Sequence, residues 1–143
     1  MDIENKLNKL INKAIRKNEV PIAAIIVKNN NIISKSYNKV NKKNNILNHA
    51  EIICIKKAQK KLKNWRLNDC ELYVTLEPCS MCKEIIKKSR INTVYYYTKQ
   101  NNYETESETM YKYIHNDNFS SELTNFFKNK RNTNVSRETS KIK

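Results

Sequence analysis

The sequence predicts an α/β fold, and three observations predict it. Apolar residues recur at helical spacing in some segments and as short runs or alternations in others, in the order α-β-β-α-β-α-β. The 143 residues amount to one domain, long enough to bury a core without disulfides. No internal repeat or linker divides the chain. Residues 1–131 therefore read as one domain and 132–143 as a polar tail expected to be disordered.

Ile3, Leu7, Leu10, Ile11, Ala14 and Ile15 fall three and four residues apart, with Lys and Asn between them, which predicts a first helix over 3–18. Such an amphipathic start also suits an organellar transit peptide, but the early acids Asp2 and Glu4 argue against one. Pro21 breaks the helix. Ile22–Val27 is an apolar run suited to a strand buried on both faces. Asn29-Asn30-Asn31 turns the chain, and Ile32–Tyr37 returns as the second strand of a hairpin. The chain has no Gly, so turns that need positive φ fall to Asn or Asp. Residues 38–47 are polar and read as loop. Asn48 is placed to cap a second helix with His49 and Glu51 in its first turn. Ile52, Ile53, Ile55, Ala58 and Leu62 supply its buried side. After a loop over 63–68, Cys70–Leu76 alternates as a third strand. Pro78 ends it and opens a third helix, with Cys79 and Cys82 in the first turn and Ile85 and Ile86 turned inward. Asn92–Tyr97 is the fourth strand, and 99–107 is polar loop. Thr109–Ile114 fits a fifth strand or a short helix, with strand preferred. Phe119, Leu123, Phe126 and Phe127 mark a closing helix over 119–131.

The formal net charge is +14. A surface this basic favours a polyanion such as nucleic acid, through counterion release; drift of composition towards Lys is the alternative. Four Cys without a secretory signal point to a reducing compartment. No stretch approaches the ~20 apolar residues of a membrane span. The expectation is a soluble protein, cytoplasmic or of an organellar matrix, with no membrane partner.

His49-Ala50-Glu51 reads H-x-E, and Pro78-Cys79-Ser80-Met81-Cys82 reads P-C-x-x-C. The pair forms the signature in which one His and two Cys hold Zn²⁺ while a Glu outside the ligand set moves protons. Three ligands, His49, Cys79 and Cys82, leave one corner of a zinc tetrahedron open, as a catalytic site requires. Cys79 and Cys82 stand i, i+3 at a helix start, on one face, where the helix dipole favours thiolates. Zinc lowers the pKa of bound water from 15.7 to roughly 7. Glu51 can take the water proton, deliver it to a ring nitrogen and then to leaving ammonia. An exocyclic amine becomes a carbonyl.

H-x-E alone arises often by chance, and C-x-x-C alone more often marks a structural metal or a redox pair. The conjunction is the specific feature: His before the Cys pair, Pro before the first Cys, and both halves opening helices after strands. A thioredoxin-like site would leave His49 and Glu51 without a role. Cys54 and Cys70 read as core. Trp65 and Tyr95-Tyr96-Tyr97 read as core and strand residues in preference to base-stacking platforms. His115 reads as a surface residue without a partner.

At these residues the chain resembles the cytidine-deaminase-like superfamily, and within it the bacterial tRNA-specific adenosine deaminases. Asn18-Glu19-Val20-Pro21-Ile22-Ala23-Ala24 resembles that family's E-V-P-[VI]-G-A segment. His49-Ala50-Glu51-Ile52 matches its zinc motif, and Asn64-Trp65-Arg66-Leu67 with Leu72 to Cys82 resembles its most distinctive stretch. Ser89-Arg90-Ile91 fits the segment before the fourth strand, and Phe126-Phe127-Lys128 to Arg131 the basic closing helix. The resemblance implies a three-layer α/β/α sandwich around a mixed sheet of about five strands, and a homodimer whose subunits share each substrate groove. It implies hydrolytic deamination of adenosine to inosine at the wobble position of a tRNA anticodon stem-loop. One Zn²⁺ per subunit would sit on His49, Cys79 and Cys82, with Glu51 shuttling protons. Asn38, the Ala50 backbone N–H and the backbone around Glu77 would hold the nucleoside. The base is taken from a loop, so little duplex is opened.

Two positions depart from the family. Its Gly-Ala pair is Ala23-Ala24 here, expected to narrow the pocket wall. Its long loop after the fourth strand is cut down to 98–107, with Gln100 where Asp is usual, and that loop bears on RNA selectivity. A deaminase of a free base or nucleotide (guanine or a cytosine compound) is therefore the second reading. A non-catalytic zinc module that binds RNA is the third, and it leaves Glu51 unexplained.

Overall fold

The computed structural model describes residues 2–100 and 107–142, with side-chain surroundings as far as residue 129. The elements are α1 (Ile3–Arg16), β1 (Ala23–Lys28), β2 (Asn31–Tyr37), α2 (Val40–Lys43), α3 (Ala50–Leu62), β3 (Cys70–Val74), α4 (Ser80–Lys88), β4 (Thr93–Tyr96), β5 (Met110–Tyr113) and α5 (Asp117–Ile142). The strands form one sheet in the order β2-β1-β3-β4-β5. β1 is antiparallel to both β2 and β3, whereas β3, β4 and β5 run parallel. The sheet is mixed and five-stranded, as the resemblance implies.

Successive side chains of a strand point to opposite faces, and β1 shows what its uninterrupted apolar run is for. Ala24 and Ile26 join the core under α3 and α4, with Cys54, Ile55 and Ile86. Ala23, Ile25 and Val27 join the core under α1 and α5, with Leu7, Ile11 and Phe119. Helices thus cover both faces, giving three layers. Each fully buried Ile or Leu contributes about 1.5–3 kcal/mol.

Without Gly, positive φ falls mainly to Asn and Asp: Asn18, Asn29, Asn30, Asn44 and Asp69. Asn29 (φ 52°) and Asn30 (φ 62°) form the two-residue turn between Lys28 and Asn31. Positive φ at both central positions is what a type I′ hairpin needs. Lys63 (φ 53°) and Arg90 (φ 66°) depart from the expectation. Both follow helices. Their N–H groups return to helix carbonyls, Lys63 to Lys60 and Arg90 to Lys87, and these bonds hold a geometry that costs such residues about 1–2 kcal/mol.

Several expectations are corrected. The 38–47 loop contains α2, one turn anchored by the buried carboxylate of Glu19, which accepts from the N–H groups of Asn41 (3.0 Å) and Lys42 (2.6 Å). The N-cap of α3 is His49, not Asn48. Cys79 is the N-cap of α4 and lies one residue before its first turn. Trp65 is 48% exposed, with the Arg66 guanidinium 4.4 Å from its ring centre; the loop before β3 turns it away from the core. His115 is exposed but partnered, by the Tyr113 hydroxyl at 3.2 Å and the Asp117 carboxylate at 2.9 Å. The tyrosine run packs as strand and core: Tyr95 stacks on Tyr73, and buried Tyr97 meets Phe119 edge-on. β5 is a strand. α5 continues to Ile142, through residues whose composition suggests a disordered tail; neither Pro nor Gly interrupts 117–142. Residues 101–106 of the shortened loop lie outside the described residues. Among the described residues, no helix is long and apolar enough to cross a membrane.

Candidate active site

The site lies where α3 and α4 begin, at the carboxyl end of β3. His49 and Cys79 are the N-cap residues of the two helices, both extended (φ −66°, ψ 148° and φ −69°, ψ 172°). Neither side chain makes the usual capping hydrogen bond to its own helix. They meet each other instead. His49 Nδ1 is 3.8 Å from Cys79 Sγ and 3.5 Å from Cys82 Sγ. All three candidate ligand atoms lie within 4.8 Å of one another.

This donor set fits zinc. With Zn–S near 2.3 Å and Zn–N near 2.0–2.1 Å, tetrahedral angles set nitrogen and sulfur roughly 3.6 Å apart, and the two measured separations straddle that figure. Two sulfurs and one imidazole are also the ligands zinc takes most readily. Hydrogen bonds from Cys82 and His49 hold Cys79 well below the usual thiol range. Cys82, hydrogen-bonded to that thiolate and buried, is pushed up. His49 is raised by its hydrogen bond to Cys79.

Glu51 is the second residue of α3, buried, with its carboxyl beside Cys82. Burial pushes its pKa up. A carboxyl in this position can hold a proton nearer neutrality than an exposed one, as a general acid–base requires.

A cavity of about 310 Å³ opens onto these groups, its lining including Asn38, His49, Glu51, Glu77, Cys79 and Gln100. Asn38 is buried and fixed by its N–H to the Ile22 carbonyl (3.0 Å). Ala50 is buried but is not one of the lining residues; its carbonyl accepts from the Ser36 hydroxyl at 2.6 Å. Its N–H belongs to the helix start, where no intrahelical carbonyl reaches. Glu77 is heavily engaged. Its N–H bonds to Thr98, its carbonyl accepts from Gln100 Nε2 (3.0 Å), and its carboxylate takes the Gln100 N–H (3.1 Å) and the Lys83 ammonium (2.9 Å). Ala23 and Ala24 are buried in the two cores and are not lining residues, so the expected narrowing at the wall does not arise from them.

Sequence reasoning missed Lys83, Phe127 and Ile46. Lys83 is buried and paired to Glu77, yet in a chain with 28 Lys and Arg nothing local marks it out. Phe127 reaches the cavity from the closing helix, and Ile46 from the loop after α2. Cys54 and Cys70 are buried, as expected. Burial pushes the Cys54 thiol up to about 12.

Residues 1–134 match the MafB19-like deaminase family. A tRNA-specific adenosine deaminase of Rickettsia bellii is 51% identical over 85 residues, which cover 58% of this chain and 59% of that protein. The chain thus spans about three-fifths of the length of that relative. Among solved structures, one from a study of A-to-I editing by tRNA:A34 deaminases at the wobble position superposes with a TM-score of 0.65 at 29% identity. It covers 77% of this chain and 99% of its own. Guanine deaminase of Bacillus subtilis superposes with a TM-score of 0.63 at 35% identity, covering 69% of this chain and 66% of its own.

Proposed function

The chain belongs to the MafB19-like deaminase family, and from that premise we propose that it is a zinc-dependent hydrolase converting adenosine to inosine at the wobble position of a tRNA anticodon. One observation carries the reading: an imidazole and two sulfurs converge at the mouth of a cavity, with a buried carboxyl beside them.

His49, Cys79 and Cys82 would hold one Zn²⁺ per subunit, which when bound supplies the Lewis acidity that brings the pKa of water from 15.7 to about 7. Glu51 accepts one proton from the attacking water and delivers it to the ring nitrogen, which keeps it; Glu51 then carries the second proton, from the newly added hydroxyl, to the departing amine as the C–N bond breaks and the carbonyl forms. Its raised pKa suits it to both directions of transfer. Asn38 and the Ala50 N–H orient the nucleoside. Glu77 contributes through its carbonyl, which has a lone pair beyond the Gln100 bond. Gln100, bonded twice to Glu77, fixes the wall facing the base. At about 310 Å³ the cavity is at the small end of ligand pockets, which run about 300–1,000 Å³, a size for one nucleoside flipped out of a loop.

The net charge of +14 supports a polyanionic substrate, and the names of the relatives point to tRNA. A homodimer is part of the proposal: Ile46 and Phe127, both exposed, line the cavity and would be covered by a second subunit. Four free cysteines support a reducing, cytoplasmic setting. The second reading, a free-base deaminase, is favoured by the likeness to the Bacillus guanine deaminase.

An anticodon stem-loop carrying A34 should be deaminated to inosine far faster than free adenosine, guanine or cytidine. Turnover of guanine or cytidine with none of the stem-loop would overturn the tRNA reading and establish the second.

A further inference from the structure

At the far end of α4 from the sulfurs lies a second cavity, of about 590 Å³. Arg66 comes from the loop before β3, Lys87 and Arg90 from the end of α4, and Glu108 and Thr109 from the segment leading into β5. Three cations face one carboxylate. Among the described residues, neither ion pair involves any of the three.

Cations at a helix C-terminus usually serve its unpaired carbonyls. Here backbone N–H groups already take three of the last four helix carbonyls and that of the cap: Ser89 bonds to Ile85, Arg90 to Lys87, Ile91 to Ile86, and Leu67 to Ser89. The walls are fixed as well. The Asn92 N–H bonds to Cys70, and the Thr109 hydroxyl to the Ile91 carbonyl at 2.8 Å.

Trp65, the neighbour in sequence of the lining residue Arg66, is half-exposed, its ring against the Arg66 guanidinium. An accessible indole next to grouped cations is what single-stranded nucleic acid uses, with a base on the ring and a phosphate among the charges. We propose that this cavity binds a backbone phosphate of single-stranded nucleic acid whose neighbouring base stacks on Trp65. The assignment deepens the tRNA reading and rests on its premise that the substrate is a polynucleotide. α4 has nine residues, about 14 Å at 1.5 Å per residue, so about four stacked nucleotides at 3.4 Å each reach from one cavity to the other.

Trp65 is the chain's one tryptophan, so its emission reports this place alone. The zinc-loaded full chain is titrated with an oligouridylate of about eight nucleotides, which offers the metal end no adenine. Saturable quenching is expected. Arg66→Gln/Lys87→Gln should weaken binding about tenfold and flatten the slope of log K against log salt by about 0.7, the value for one single-strand phosphate. Lys6→Gln/Lys9→Gln, which removes equal charge from exposed positions on α1, should bind like the parent. Absent quenching, or equal weakening by the two double variants, overturns the proposal. Displacement of the oligomer by inorganic phosphate or AMP at matching concentration also overturns it, by assigning the cavity to a free phosphate. Since no deaminable base is present, intact quenching alongside failed stem-loop deamination sinks the tRNA reading and leaves this site standing.

Discussion

α1 and α3 begin with the same pattern of positions and use it differently. Asp2 is the N-cap of α1 and its carboxylate accepts the Asn5 N–H at 3.1 Å; Glu4, two residues on, is exposed. His49 is the N-cap of α3 without a capping bond; Glu51, two residues on, is buried. α4 likewise starts without a capping bond, on Cys79. Asp, Asn or Ser at an N-cap stabilises a helix by about 1 kcal/mol. Asn48 and Ser80 each sit one residue from doing so. α1 keeps the cap. α3 and α4 give that position to His49 and Cys79, the donors proposed for the metal, and their extended backbone aims the two side chains at each other across the gap between the helix starts. The electropositive ends of both helices then favour the thiolates.

The largest test of this contrast exchanges the two acids. Glu51→Gln should keep zinc and lower kcat by about 10²–10⁴, whereas Glu4→Gln should leave kcat unchanged. Equal effects in the two variants would erase the distinction. Next in size is cysteine reactivity. In zinc-free protein at neutral pH, iodoacetamide should label Cys79 first and leave Cys54, pushed up to about 12 by burial, unlabelled. Peptide mapping reads this directly, and added zinc should protect Cys79.

Much of this was legible because it is local. The apolar run of β1 announces a strand buried on both faces, and Asn29-Asn30 in a chain without Gly announces the hairpin. The i, i+3 spacing of Cys79 and Cys82 follows from one helical turn. What was not legible depends on distant segments or on single-residue boundaries. α2 is four residues with one apolar side chain, and it is held from 22 and 23 residues upstream by the buried carboxylate of Glu19 and by the Asn18 carbonyl, which accepts from the Asn41 side-chain amide. The Glu77–Lys83 pair and Phe127 reach the cavity through tertiary packing. Trp65 looks like core by composition, yet its loop carries it outward onto Arg66. The cap of α3 fell one residue from the expected Asn48, and that shift places the imidazole at the helix mouth.

Smaller effects sharpen the comparison. In zinc-free protein, His49→Asn should gain a cap and raise Tm by about 2–5 °C, while Asp2→Ala should lower it by a similar amount. Glu51 also carries a pH signature. Its folded pKa is raised by burial, so as pH climbs through the ordinary carboxylate range the unfolded chain ionises first. Stability is therefore lost with rising pH, until the folded carboxyl ionises too. Zinc-free Glu51→Gln lacks this loss. Its stability should equal the parent's in acid and exceed it at neutral pH in denaturant titrations. Equal stability throughout would mean Glu51 is not buried as a carboxyl.

The central claim is that two uncapped helix starts jointly hold one metal ion. Zinc content per folded chain, measured by elemental analysis on the parent, Glu51→Gln and Cys82→Ala, tests it most directly. The account predicts one zinc in the parent and in Glu51→Gln, and none in Cys82→Ala. A metal-free parent, or full zinc in Cys82→Ala, would contradict it.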